Sequence, residues 1–172
     1  MKTEQLTENP MRKIKLEKVV LSCGATGQDL DKAQKLLELL SGKKAQRVTS
    51  AKRIPDFNVH PGLEVGVCVT LRREKAKEIL RKLLGAISNT LDEDQIAENT
   101  FSFGIPEYIE IPGVEYQREI GIRGLNVTVV FARAGIRVRR RKIKKGSVPH
   151  KQHVTEEEII SYMEENFETR FT

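Results

Sequence analysis

The stretch from Val65 to Arg72 limits the possible folds most sharply. Val65, Val67, Val69 and Leu71 alternate with Gly66, Cys68, Thr70 and Arg72. A period of two sends successive side chains to opposite faces of a strand, so this segment needs an apolar layer on one side only. Lys13–Leu21 repeats the pattern with a more apolar end, and Leu125, Val127, Val129 and Phe131 repeat it again. A short strand is expected at Gln46–Ala51. Phe101–Gly113 reads as extended, bounded by Pro106 and the Pro112-Gly113 turn.

Three segments carry helical spacing instead. After the glycine-punctuated turn Ser22–Gly27, Asp29 is expected to cap a helix with Leu30, Ala33, Leu36, Leu37 and Leu40 on one face and Gly42 as its stop. Glu74 opens a second, with Ile79, Leu80, Leu83, Leu84 and Ile87 inward. Thr155, with Glu158 three residues on, forms the capping box of a last, acidic helix ending near Phe167. Between them, Ile54–Gly62 holds two prolines and a glycine and reads as an exposed loop. Several strands follow one another between the second and last helices. The class is therefore α+β: a mostly antiparallel sheet with helices packed on one face and the other face partly open. With 172 residues, the chain fits one domain, residues 1–172, with an N-terminal arm over 1–12 and a basic loop region over 133–153.

Charge narrows the partner. The formal net charge is +6, and cations set on phosphates release condensed counterions, so a polyanion is expected. No apolar run approaches the roughly 20 residues of a spanning helix, and the polar N-terminus lacks the apolar centre of a signal peptide. The expectation is a cytoplasmic protein with no membrane partner. From Ile120 to Thr155 there is no acidic residue, and the densest basic run is Arg137, Arg139, Arg140, Arg141, Lys142, Lys144 and Lys145. Like charges this close repel, so the run should be extended or mobile on its own. A solvated basic loop or localisation tract is the plain reading, and general phosphate binding the favoured one. A second acid-free stretch, Leu39–Pro55, carries Lys43, Lys44, Arg47, Lys52 and Arg53. There Arg47, Thr49 and Ala51 would share a strand face. An ordinary surface strand fits those residues equally well, and Thr70 and Arg72 pose the same choice.

Catalytic patterns are weak. Gly24-Ala25-Thr26-Gly27 lacks the Gly-Lys-Ser/Thr of a phosphate loop, and Asp92, Glu93 and Asp94 are consecutive, so their carboxylates diverge. Cys23 and Cys68 lie 45 positions apart with no CxxC partner, and three scattered histidines do not complete a zinc set. No cofactor and no metal are expected. A binding module outranks an enzyme.

Several short motifs then fall into one collinear order. They are Asn9-Pro10-Met11-Arg12, Ser41-Gly42-Lys43-Lys44, Ala51-Lys52, Val69-Thr70-Leu71-Arg72, Phe101-Ser102-Phe103-Gly104-Ile105, Ile111-Pro112-Gly113-Val114, Ile120-Gly121-Ile122 and Thr155-Glu156-Glu157-Glu158. From Asn9 to Phe167 this set resembles the universal large-subunit ribosomal protein five family in its archaeal and eukaryotic form. The resemblance implies a structural protein that attaches 5S rRNA in the central protuberance by laying an open sheet face on it. By match to family motifs, the rRNA-binding residues would be Arg12, Ser22, Lys43, Arg47, Thr49, Lys52, Arg53, Thr70 and Arg72. The loop with Phe57, Asn58 and His60 would lie near the P-site tRNA, and Phe101–Glu115 near a head protein of the small subunit. Large-subunit rRNA and other central-protuberance proteins would be further partners. The chain departs from the family at Ser22, where Asn is usual, and at Lys43, where Gln follows the glycine. Both changes replace an amide, with a hydroxyl and a point charge. A free-standing RNA chaperone and an RNA-modifying enzyme are the rival classes.

Overall fold

The structure, a computed structural model, describes residue 9 and residues 11–172. All five expected strands take part in one six-stranded antiparallel sheet. Its members are β1 (Lys15–Gly24), β2 (Gln46–Thr49), β3 (Glu64–Leu71), β5 (Ile96–Ala97), β6 (Thr100–Ile105) and β7 (Leu125–Ala132), in the order β2-β3-β1-β7-β6-β5. The helices are α1 (Gln28–Ser41), α2 (Glu74–Ala86), a single turn α3 (Arg137–Arg140) and α4 (Glu156–Phe167). A separate parallel pair joins β4 (Thr90–Leu91) to β8 (Arg170–Phe171). The expected α+β class with a mainly antiparallel sheet is what forms.

Alternation decides which sheet face is covered. Val19, Leu21, Val67, Val69, Leu71, Val127, Val129, Phe131, Phe101 and Phe103 are all buried, and they pack in one cluster with Leu36 and Leu37 of α1, Leu80 and Leu83 of α2 and Met163 of α4. Each such leucine contributes about 1.5–3 kcal/mol of apolar burial, which is what holds helices to this face. Thr155 and Glu158 form the expected reciprocal capping box, and Gly42 ends α1 in the left-handed region at φ 60°.

Local departures have local causes. β1 runs on to Gly24 because Ser22 and Cys23 stay laddered to Cys68 and Val67. Gly27, not Asp29, occupies the N-cap of α1; Asp29 lies inside the first turn and takes Arg123 Nη2 at 2.9 Å. β2 stops at Thr49. The loop Ile54–Gly62 is more ordered than its prolines imply: Ile54 and Val59 exchange backbone hydrogen bonds, Val59 is buried, and Asn58 at φ 53° closes the turn. Phe101–Gly113 is extended only to Ile105, after which Tyr108 turns inward and is fully buried, its hydroxyl accepting from the Gln117 amide at 2.9 Å.

Candidate nucleic-acid interface

The uncovered face is built from the alternate residues of the same strands. Directly paired residues on neighbouring strands share a face. One row across the sheet reads Thr70, Val20, Thr128 and Ser102; the next reads Gln46, Cys68, Ser22, Asn126 and Gly104. Ser102 Oγ donates to Thr128 Oγ1 at 3.2 Å, and Thr70, Ser102 and Asn126 are exposed. Adjacent strands sit about 4.8 Å apart, so these rows present small hydroxyl and amide groups at a regular pitch over a firm backbone. Ser22 and Thr70 were expected here; Ser102, Asn126 and Thr128 were not. Their signal was present as the polar positions alternating with Phe101, Phe103, Val127 and Val129.

Cations lie around the rim. Lys43, Lys52 and Arg53 are exposed in the loops flanking β2, their segments held by Ser41 and Ser50 hydroxyls that bond the Lys43 and Lys52 backbones. Arg12 is exposed beside the start of β1, and Phe57, Asn58 and His60 are exposed on the β2–β3 loop. Phe57 is an apolar ring left 77% exposed at its tip. Arg72 follows β3 at the opposite end of the sheet.

Arg47 is placed otherwise than strand periodicity alone implied. It pairs with the buried Val67, so it points to the helix side and not to the face of Thr70. There its guanidinium meets Asp31 at 2.6 Å, Glu64 at 2.9 Å and Gln34 at 2.8 Å. The Glu64 hydrogen bond, and then its charge and those from Asp31, raise the Arg47 pKa above the ordinary guanidinium value. The register shift between Val48 and Thr49 skips Val65 on β3 and leaves β2 unbroken, so the alternation expected to put Arg47 and Thr49 on one face is kept. Thr49 pairs with Glu64, the carboxylate that Arg47 meets. Thr49 itself is exposed.

The basic run differs from its expected extended form. Arg137–Arg140 makes one helical turn, and Arg140 reaches the Glu17 carboxylate on β1. Arg72 reaches the same carboxylate at 3.5 Å. Upstream, Arg133 is paired with Glu158 of α4. The fold thus supplies carboxylates that the local sequence lacks, to Arg140 within the turn and to Arg133 ahead of it. Arg137, Arg139, Arg141, Lys142, Lys144 and Lys145 remain exposed. The fold also brings together one group of three possible metal ligands among the described residues, Glu98, His150 and His153, where the sequence expectation counted histidines alone.

An open, polar antiparallel sheet with a cationic rim and helices on the reverse defines a binding scaffold. The sequence model of the family described as ribosomal protein L5 matches residues 9–60, and the model of that ribosomal family's C-terminus matches residues 64–162. The large ribosomal subunit protein uL5 of Nanoarchaeum equitans is 44% identical over 161 residues, 92% of this chain and 95% of the relative. The same protein of Sulfolobus acidocaldarius is 41% identical over 95% of this chain and 94% of its own, and that of Picrophilus torridus 37% identical over 96% and 97%. The chain belongs to the ribosomal protein L5 family.

Proposed function

We propose that this chain is a structural, non-enzymatic constituent of the large ribosomal subunit in the cytoplasm that binds 5S rRNA and helps attach it in the central protuberance. The observation that carries the reading is the open face itself: two cross-strand rows in which Thr70, Thr128, Ser102, Gln46, Ser22 and Asn126 present small polar groups, with Lys18 on the same face of β1 and further cations around the rim. A-form RNA presents ribose hydroxyls and phosphates on a broad shallow groove, and it is read mostly by shape and by such contacts. Ser22, Thr70 and their neighbours supply the hydrogen bonds; Arg12, Lys43, Thr49, Lys52, Arg53 and Arg72 meet the backbone around them. Arg47 acts chiefly by holding β2 to α1, since its donors are already engaged. The run from Arg137 to Lys145 anchors rRNA phosphates without reading sequence. Family resemblance adds two further contacts: the P-site tRNA at Phe57, Asn58 and His60, and a small-subunit head protein at Phe101–Glu115, beside other central-protuberance proteins.

Filter binding to 5S rRNA and to an unrelated duplex, over a series of salt concentrations, tests this. Thr70→Ala and Arg72→Ala should weaken 5S binding more than Glu164→Ala on α4. Equal affinity for both RNAs at every salt would defeat the specific role. In cell lysates the chain should sediment with large subunits; finding most of it on free RNA would favour the chaperone reading.

A further inference from the structure

We infer that Glu98, His150 and His153 form a site for one divalent zinc-type cation, which staples the end of the basic segment to the β5–β6 turn. One oxygen of Glu98 and one ring nitrogen of each histidine all lie within 4.8 Å of one another. His153 Nδ1 is 3.0 Å from Glu98 Oε2, and the two imidazole centroids are 5.2 Å apart. Two ligands held at about 2.0–2.1 Å on a tetrahedral metal stand roughly 3.3 Å apart, so the Glu98–His153 pair already has nearly the required edge. Imidazole with carboxylate favours zinc, cobalt, nickel or copper over magnesium, which selects oxygen donors.

The ligands sit on backbone that is fixed from both sides. Beside Glu98, Asn99 adopts φ 64°, its amide donates to the Val154 carbonyl at 3.1 Å, and its side-chain oxygen accepts from the Val154 amide at 2.9 Å. That reciprocal link holds the neighbours of Glu98 and His153 together across 55 positions of sequence. The turn carrying His150 is held separately: Gln152 Nε2 donates to the Ala134 carbonyl at 2.9 Å, and Arg133 Nη1 donates to the Lys151 carbonyl at 3.1 Å. Arg133, whose side chain is largely buried nearby, is balanced by Glu158, so it does not oppose a dication with a free charge. A metal here would close the loop that begins at Ala132 and contains the whole basic run, and would order it whether or not RNA is present.

The test uses the full chain without a polyhistidine tag. Calorimetric titration with Zn2+, and Co2+ absorption spectra, should show one saturable equivalent. His150→Ala and His153→Asn should each weaken binding by about tenfold or more, since each removes a ligand. The asparagine keeps a hydrogen-bonding nitrogen near Glu98, so folding is retained. His60→Ala, the remaining histidine, should bind as the parent does. Loss of affinity shared equally by His60→Ala, or no loss in His153→Asn, would overturn the site. Zn2+, but not Mg2+, should also slow tryptic cleavage between Arg137 and Lys145. Unchanged cleavage in zinc-saturated protein would overturn the stapling role.

Discussion

Arg140 of the basic turn pairs with Glu17 of β1, whose side chain is only 10% exposed, while Arg72 approaches the same carboxylate from the end of β3. Both Glu17 oxygens are shut off from water and lack a hydrogen bond among the described residues, so the two guanidiniums are what balance that charge. Arg72→Ala and Arg140→Ala should each be mild alone, because one cation remains. Together they leave a buried, uncompensated carboxylate and should cost about 1–3 kcal/mol beyond the sum of the singles. Urea unfolding of the four proteins measures this coupling, and simple additivity would rule it out.

The face and the basic run should separate by salt dependence. Replacing Arg137, Arg139 and Arg141 together with Ala should lower the slope of log affinity against log salt by about 0.7–0.9 for each phosphate that is no longer neutralised. Thr70→Ala removes a neutral group and should cost about 1 kcal/mol of 5S rRNA binding with the slope unchanged. If the Thr70 variant changed the slope instead, the division between reading and anchoring would be wrong.

Arg47→Ala should loosen the sheet edge more than it weakens RNA binding. Its guanidinium ties β2 to Asp31, Gln34 and Glu64. Amide exchange at Gln46–Thr49 should accelerate while 5S rRNA affinity falls less than in Thr70→Ala. The reverse order would mean that Arg47 swings out to the RNA.

Acid should release the loop between α1 and β2. Glu38 Oε1 accepts from Gln34 Nε2 at 3.0 Å and from the Ala45 amide at 3.1 Å, and these two bonds lower its pKa below the ordinary carboxylate value. A depressed folded pKa stabilises the fold above the unfolded value, and that stability is lost as pH falls through the folded one. Glu38→Gln keeps an acceptor for Ala45 but does not titrate. The melting temperature of the parent should exceed that of Glu38→Gln near neutrality, and the gap should close through the acid carboxylate range. A gap constant across that range would exclude Glu38 as the titrating group.

Much of the fold is legible in the chain because burial repeats with a local period. The alternation of Val65–Leu71, the helical spacing of Leu30–Leu40 and the Thr155–Glu158 box each act within a few residues, and each forms as expected. The polar half of the same alternation carries Ser22 and Thr70 to one face, and it carries Ser102, Asn126 and Thr128 there too. What fails is whatever depends on a distant partner. Asp29 looks like a cap in sequence because the guanidinium of Arg123, which it meets in the fold, is remote along the chain.

The chain's own order of residues thus determined the strands, the helices, the apolar face and the family, since these follow from periodicity and from motifs in fixed succession. Tertiary structure alone decided which charges remain available. The register of β2 against β3 turned Arg47 inward to Asp31 and Glu64, Glu17 drew in Arg140 and Arg72, and a strand turn brought Glu98 to His153. Ion pairs and ligand sets require side chains a few ångströms apart, and separation in space is fixed by register and packing rather than by position along the chain.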